Sequence, residues 1–197
     1  MKKFTIYLFA LMSIMACGDD ENEYPNGSEG DSAMNKAEVL ASMKFVQDDV
    51  IGFVPEGGIE IFPKTRFKQE IQGFGWENVG SYKINADGTV EEKDYFLYIE
   101  GGGRSHYFFD KKLMRQFLCT TSWPELLFYK ESAYEYDEQN QNCIFQGFHI
   151  LSYNDETREM TVLNHGKSCR VEFYQRMSKD RLKEIRRQYS TNIDDKH

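Results

Sequence analysis

The spacing of apolar residues divides this chain into a short helical start, a long run of period-two segments and a helical end. Asn35 and Glu38 have the form of a capping box, and Val39, Leu40, Met43 and Val46 follow at helical spacing, predicting an amphipathic helix over residues 35–49. Gly52, Pro55, Gly57 and Gly58 end that pattern, and from Ile59 the period becomes two. Ile59–Ile61 and Phe67–Ile71 read as short strands, and Trp76–Ile84 as a longer one. The last runs into Asn85-Ala-Asp87-Gly88, a turn from which Thr89–Ile99 should return antiparallel.

Gly101–Gly103 predicts a further turn, followed by a strand in which Ser105, Tyr107 and Phe109 alternate with His106 and Phe108. Between Lys111 and Lys130 the pattern fits strand or helix, with Ser122-Trp123-Pro124-Glu125 resembling a helix start. Strands are expected at Ala133–Tyr136, Ile144–Phe145, Phe148–Leu151, Met160–Leu163 and Cys169–Arg176, separated by polar turns at Asp137–Asn142, Asn154–Thr157 and Asn164–Gly166. Ser178 then caps a charged helix from Lys179 to Tyr189 with a narrow stripe of Leu182, Ile185 and Tyr189. About eight antiparallel strands on short turns, with a helix at each end, imply a mainly β fold, a barrel or failing that a sandwich.

The first residues carry a different signal. Lys2 and Lys3 precede an apolar run from Phe4 to Met15, which falls short of the ~20 residues a helix needs to span a bilayer. Ile14-Met15-Ala16-Cys17 resembles a bacterial lipobox, so residues 1–16 are expected to be a cleaved lipoprotein signal and Cys17 the lipidated new N-terminus. Residues 17–34 hold Asp19, Asp20, Glu21, Glu23, Glu29 and Asp31 with almost nothing apolar, an expected flexible tether. Residues 35–197 are then read as one domain. Loss of Lys2 and Lys3 would move the formal charge from −8 to −10, and with six of those negatives in the tether the domain is only mildly acidic; nucleic acid is not an expected partner.

Gly73-Phe74-Gly75-Trp76, Ser81-Tyr82-Lys83-Ile84 with Asp87-Gly88, Tyr136-Asp137-Glu138 and Phe173-Tyr174-Gln175-Arg176 together resemble the lipocalin-like lipoproteins of Bacteroidota. The resemblance covers residues 67–178 and implies an antiparallel lipocalin-like β-barrel with Arg176 stacked on Trp76, a contact of ~1–2 kcal/mol when partly desolvated. Glycine is adjacent to Trp76 and three before it, where lipocalins place it two before. By the same likeness, the acids after Cys17 resemble an export tag to the cell surface, and Asp31-Ser32-Ala33 matches the O-glycosylation pattern of that phylum, making Ser32 a candidate acceptor. The resemblance places the protein at the outer membrane.

Candidate chemistry is sparse. His106, His149, His165 and His197 form no His-x-x-x-His pair, and no metal or cofactor is expected. Cys119, Cys143 and Cys169 allow at most one disulfide and read as packed free thiols, with no spacing that marks a nucleophile. The acids Glu91, Glu92, Asp94, Glu135 and Asp137 read as solvated charge, not as a hydrolytic pair. Aromatic residues are the surplus: Tyr95, Tyr98, Tyr107, Trp123, Tyr134 and Tyr136 are candidates to line a lumen or form a docking face, or else to fill the barrel. The expected role is non-enzymatic binding of a small apolar molecule or glycan; the alternative is an accessory subunit with a filled barrel, docked on an envelope protein.

Overall fold

A computed structural model of the chain describes residues 38–95, 103–120, 126–145, 147–166 and 168–194. The expectations for Cys17, Ser32, Tyr98 and Trp123 lie outside these residues, as do the signal and the tether. The fold is mainly β, built on one antiparallel eight-stranded sheet curled into a half-barrel.

The first elements differ from the expectation. Residues 38–42 are helical, but the predicted helix stops there and gives way to a hairpin of β1 (Phe45–Asp48) and β2 (Gly52–Pro55). Phe45 is buried, whereas Val46 is 43% exposed, so the chain gains more by turning Phe45 alone toward the sheet than by continuing the helical stripe. Residues 59–61 have no regular structure, and Phe67–Ile71, expected as a strand, is helical. A short α1 (Lys64–Arg66) continues into one wide turn closed by the Gln72 N–H bond to Phe67 O, 2.9 Å. Phe67 and Ile71, four apart, thereby point to the same side and are both buried.

The sheet consists of β3 (Gly75–Lys83), β4 (Gly103–Phe109), β5 (Leu113–Thr120), β6 (Leu126–Ala133), β7 (Cys143–Phe145), β8 (Phe148–Asn154), β9 (Glu159–His165) and β10 (Cys169–Arg176), in the order β6-β5-β4-β3-β10-β9-β8-β7. The ambiguous stretch 111–130 thus contributes to the hairpin β5–β6. Residues 91–94 continue no strand after the single bridge Ile84–Val90; the neighbour of β3 on that side is β4. The β10 ladder slips between Phe173, opposite Gly80, and Tyr174, opposite Asn78, leaving Val79 as a bulge that sharpens the curl. Helix α2 (Lys179–Asp194) closes the described chain, and Ser178 Oγ accepts the Arg181 N–H at 3.1 Å, as a cap should.

Alternation sends residues to two sides. The concave side holds Phe67, Ile71, Trp76, Tyr107, Phe109, Tyr136, Phe148, Met160, Val162 and Tyr174 in one cluster, with α1 seated at its base. The convex side is covered twice. The β1–β2 hairpin and residues 39–43 pack on Leu163, Val171 and Phe173, while α2 places Ile185 and Leu182 on Phe108, Phe117 and Cys119. Strands covered on both faces are buried on both, which is why Met160, Thr161, Val162 and Leu163 of β9 are all buried.

Candidate functional site

The half-barrel interior has two unlike ends. At the base, aromatic rings are stacked against one another: Phe67 lies 4.2 Å from Tyr136 in parallel, Tyr107 meets Phe109, Phe148 and Tyr174 at 6.0, 5.3 and 5.7 Å, and Trp76 meets Tyr153 at 6.0 Å. Trp76 Nε1 donates to Ile71 O at 3.0 Å, so its one polar group is satisfied. Trp76 and Arg176 are directly opposed across β3 and β10, and the Arg176 guanidinium carbon lies 3.1 Å from the centre of the Phe74 ring.

Toward the other end the same strands become polar. Glu172 is 2% exposed and its carboxylate accepts from four side chains: Ser81 Oγ (3.2 Å), Arg170 Nε (3.0 Å), Asn164 Nδ2 (3.1 Å) and the Tyr174 hydroxyl (2.7 Å). The parity of β10 causes this, because Arg170, Glu172 and Tyr174 share a face while Val171 and Phe173 take the other. A buried carboxylate left unpaired would cost several kcal/mol, of order 3–5; four donors, one of them a guanidinium, offset that. Tyr174 spends its single proton on Glu172. Burial first, and then the Glu172 charge, holds the Tyr174 and Tyr107 hydroxyls well above the usual phenol range.

A gap between β3 and β4 extends this network sideways. The ladder between them spans only Gly75–Trp76 and Tyr107–Phe108. Beyond it the Asn78 N–H donates to His106 Nδ1 (3.0 Å) where a carbonyl would otherwise accept. Arg104 reaches into the gap, donating to Asn78 Oδ1 (2.8 Å) and to Asp94 Oδ2 (2.6 Å). The Tyr95 ring lies 5.2 Å from the Arg170 guanidinium, so residues 94 and 95 border this end. Gln116 Nε2 donates to Ser105 Oγ at 2.9 Å and lies 3.5 Å from the Tyr107 hydroxyl. Ser105, Gln116, Asn164, Arg104 and Tyr95 are half-buried, and they are the groups from which this network meets its surroundings.

The candidate aromatics therefore separate. Tyr107 and Tyr136 are buried in the packed cluster. Tyr134 is half-buried, donating to Asp110 O (2.6 Å) and accepting from Gln72 Nε2 (2.8 Å). Tyr95 borders the polar end, which the Tyr107 hydroxyl also reaches at Gln116. Glu172 escaped the sequence reading, although the signal existed: an acid in phase with Tyr174 and set between Val171 and Phe173 in mid-strand needs a buried partner.

The convex side holds one further group that spacing did not reveal. His165 Nδ1 lies 3.4 Å from Cys169 Sγ, its direct partner across β9 and β10, and the His149 ring stands 5.4 Å away, nearly perpendicular. A thiol beside an imidazole is the beginning of a nucleophile, but burial pushes Cys169 up to about 11 and His165 down to about 4, so both remain neutral and unreactive at ordinary pH. Among the described residues no group of three or more His, Cys, Asp or Glu is placed to hold a metal ion, and no helix is long and apolar enough to cross a membrane. No family model, curated protein or solved structure matches the chain.

Proposed function

We propose that this chain is a lipid-anchored outer-membrane protein, tethered through Cys17, whose lipocalin-like half-barrel binds a small hydroxylated molecule such as a glycan and performs no reaction on it. The single observation supporting this is the division of the interior. Among the described residues the apolar base is occupied by Trp76, Phe148 and Tyr174, each without exposed surface. The polar end presents amide, hydroxyl and guanidinium groups beside the Tyr95 ring, the combination that hydrogen-bonds sugar hydroxyls and stacks on a sugar face. Glu172 is saturated by its four donors, so it serves as an organiser of this surface and not as a base.

The test is native mass spectrometry of the mature protein released gently from its envelope, followed by titration with the glycans so identified. A reproducible added mass that disappears on denaturation is expected. Gln116→Ala and Ser105→Ala should each weaken binding by about tenfold, one lost hydrogen bond apiece. The packed base also suits the second reading, an accessory subunit with a filled barrel. A clean apo mass and no glycan titration would favour it, with crosslinking on intact cells to identify the protein it contacts.

A further inference from the structure

The β1–β2 hairpin is a separate two-stranded sheet laid on the convex face of the half-barrel. Among the described residues one main-chain hydrogen bond joins it to the barrel, from Phe45 N–H to Gly88 O at 3.0 Å. Gly88 permits that approach, since it has φ +81° and a Cβ there would collide with Phe45 O. The rest of the attachment is side-chain packing of Phe45 and Phe53 on Leu163, Val171 and Phe173. Beside this packing, under the start of β2, lies His165: a Cβ on Gly52 would be 3.5 Å from its Nδ1. Its Nε2 is buried without a hydrogen-bond partner, and the ring centre of His149 is 5.4 Å from its own.

We propose that His149 and His165 form an acid-sensitive latch that holds the hairpin to the barrel while both rings are neutral and releases it when they take up protons. Two imidazolium rings at this spacing repel each other, and a charged Nε2–H without an acceptor seeks water, which it reaches when β2 lifts from the sheet. The groups facing the pair set the response. From β10 Cys169 contributes a neutral thiol to His165, and from β7 Cys143 lies opposite His149 with its thiol directed to Phe145 O. The Gln141 carbonyl meets His149 Nδ1 at 3.0 Å, and Asp48 of β1 attracts positive charge at His165. Asp48 is half-buried, but its carboxylate is already held by the Val50 and Ile51 amides, which draw its charge away from the ring and weaken that attraction. The sign follows from desolvation: burial lowers the proton affinity of both rings, so release of the hairpin is accompanied by proton uptake and is favoured as the pH falls below 6.5. The hairpin continues into the N-terminal segment, so release would lengthen the chain between that segment and the barrel.

Hydrogen exchange of the full mature chain, corrected for intrinsic rates, reads this directly. Between about pH 7.5 and pH 4.5, amides 45–54 should lose protection by roughly tenfold or more while β8, β9 and β10 keep theirs. In the His149→Gln, His165→Gln double variant the hairpin should keep the same protection at both pH values. Unchanged protection of the wild-type hairpin, equal loss in the double variant, or simultaneous loss across the sheet would overturn the latch. Should the double variant fail to fold, NMR titration of the wild type decides: the His165 imidazole and the hairpin amides should shift with one midpoint, and protonation of His165 with an unmoved hairpin would refute the proposal.

Discussion

Asn142 is the residue on which most of the base depends. Its Oδ1 accepts the Phe62 N–H (2.8 Å) and lies 3.2 Å from the Tyr136 hydroxyl, while its Nδ2 donates to Glu60 O (2.6 Å) and Ile150 O (3.2 Å). It is 1% exposed and sits at φ 56°, in the left-handed region that asparagine tolerates better than most residues. One side chain thus joins the segment before α1, the turn after Tyr136 and strand β8. Asn142→Ala should cost about 2–4 kcal/mol in urea denaturation, because it strips partners from buried groups. Asn142→Gly separates the two contributions: it relieves the backbone and still loses the bonds, so a cost close to that of alanine assigns the stability to the side chain. From sequence Asn142 was visible only as the end of a polar turn. Its partners Glu60 and Phe62 lie 82 and 80 residues away, and no local pattern carries such information.

At the scale of elements, legibility followed the strength of the local pattern. Strand β10 occupies Cys169–Arg176, the predicted bounds, because its residues alternate cleanly between Glu172 and Tyr174 inside and Val171 and Phe173 outside. Helix α2 begins where Ser178 said it should and buries Ile185 from the predicted stripe. Phe67–Ile71 failed because Phe67 and Ile71, with polar residues between, satisfy a period of two and a spacing of four equally; the barrel base decided in favour of the helix. The start of the chain failed for the same tertiary reason, since Phe45 has a socket on the sheet that a continued helix would not fill. The donors of Glu172 were illegible, because they come from β3, β9 and β10. Ile185→Ala tests whether α2 is held by its stripe. It should cost about 2–4 kcal/mol by cavity formation against Phe108 and Phe117, with increased hydrogen exchange confined first to residues 179–189.

At the scale of the whole molecule, buried titratable groups bound the pH range in which the fold is stable. His106 lies under α2, fixed by the Asn78 N–H, and burial lowers it from 6.5 to about 4. A base whose folded pKa is depressed contributes its full stability above the unfolded value and loses it as the pH falls through 6.5 toward 4. For His106 that loss is on the order of 2–3 kcal/mol. His165 acts in the same direction with a smaller share, being half-open to solvent. At the alkaline end Tyr107 and Tyr174 are raised above 10.0 by burial and by Glu172, so their contribution is complete below 10 and is lost as the pH rises through that value. The buried thiols Cys119 and Cys169, raised by burial from 9.0 to about 11, lose their contribution earlier still, so thermal denaturation across pH should show a plateau between about 6.5 and 9 with a fall on each side. His106→Gln, in which the amide oxygen takes over the bond from Asn78 N–H, should flatten the acid limb and leave the alkaline limb unchanged. An acid limb of the same steepness in that variant would show that it does not originate at the α2 face.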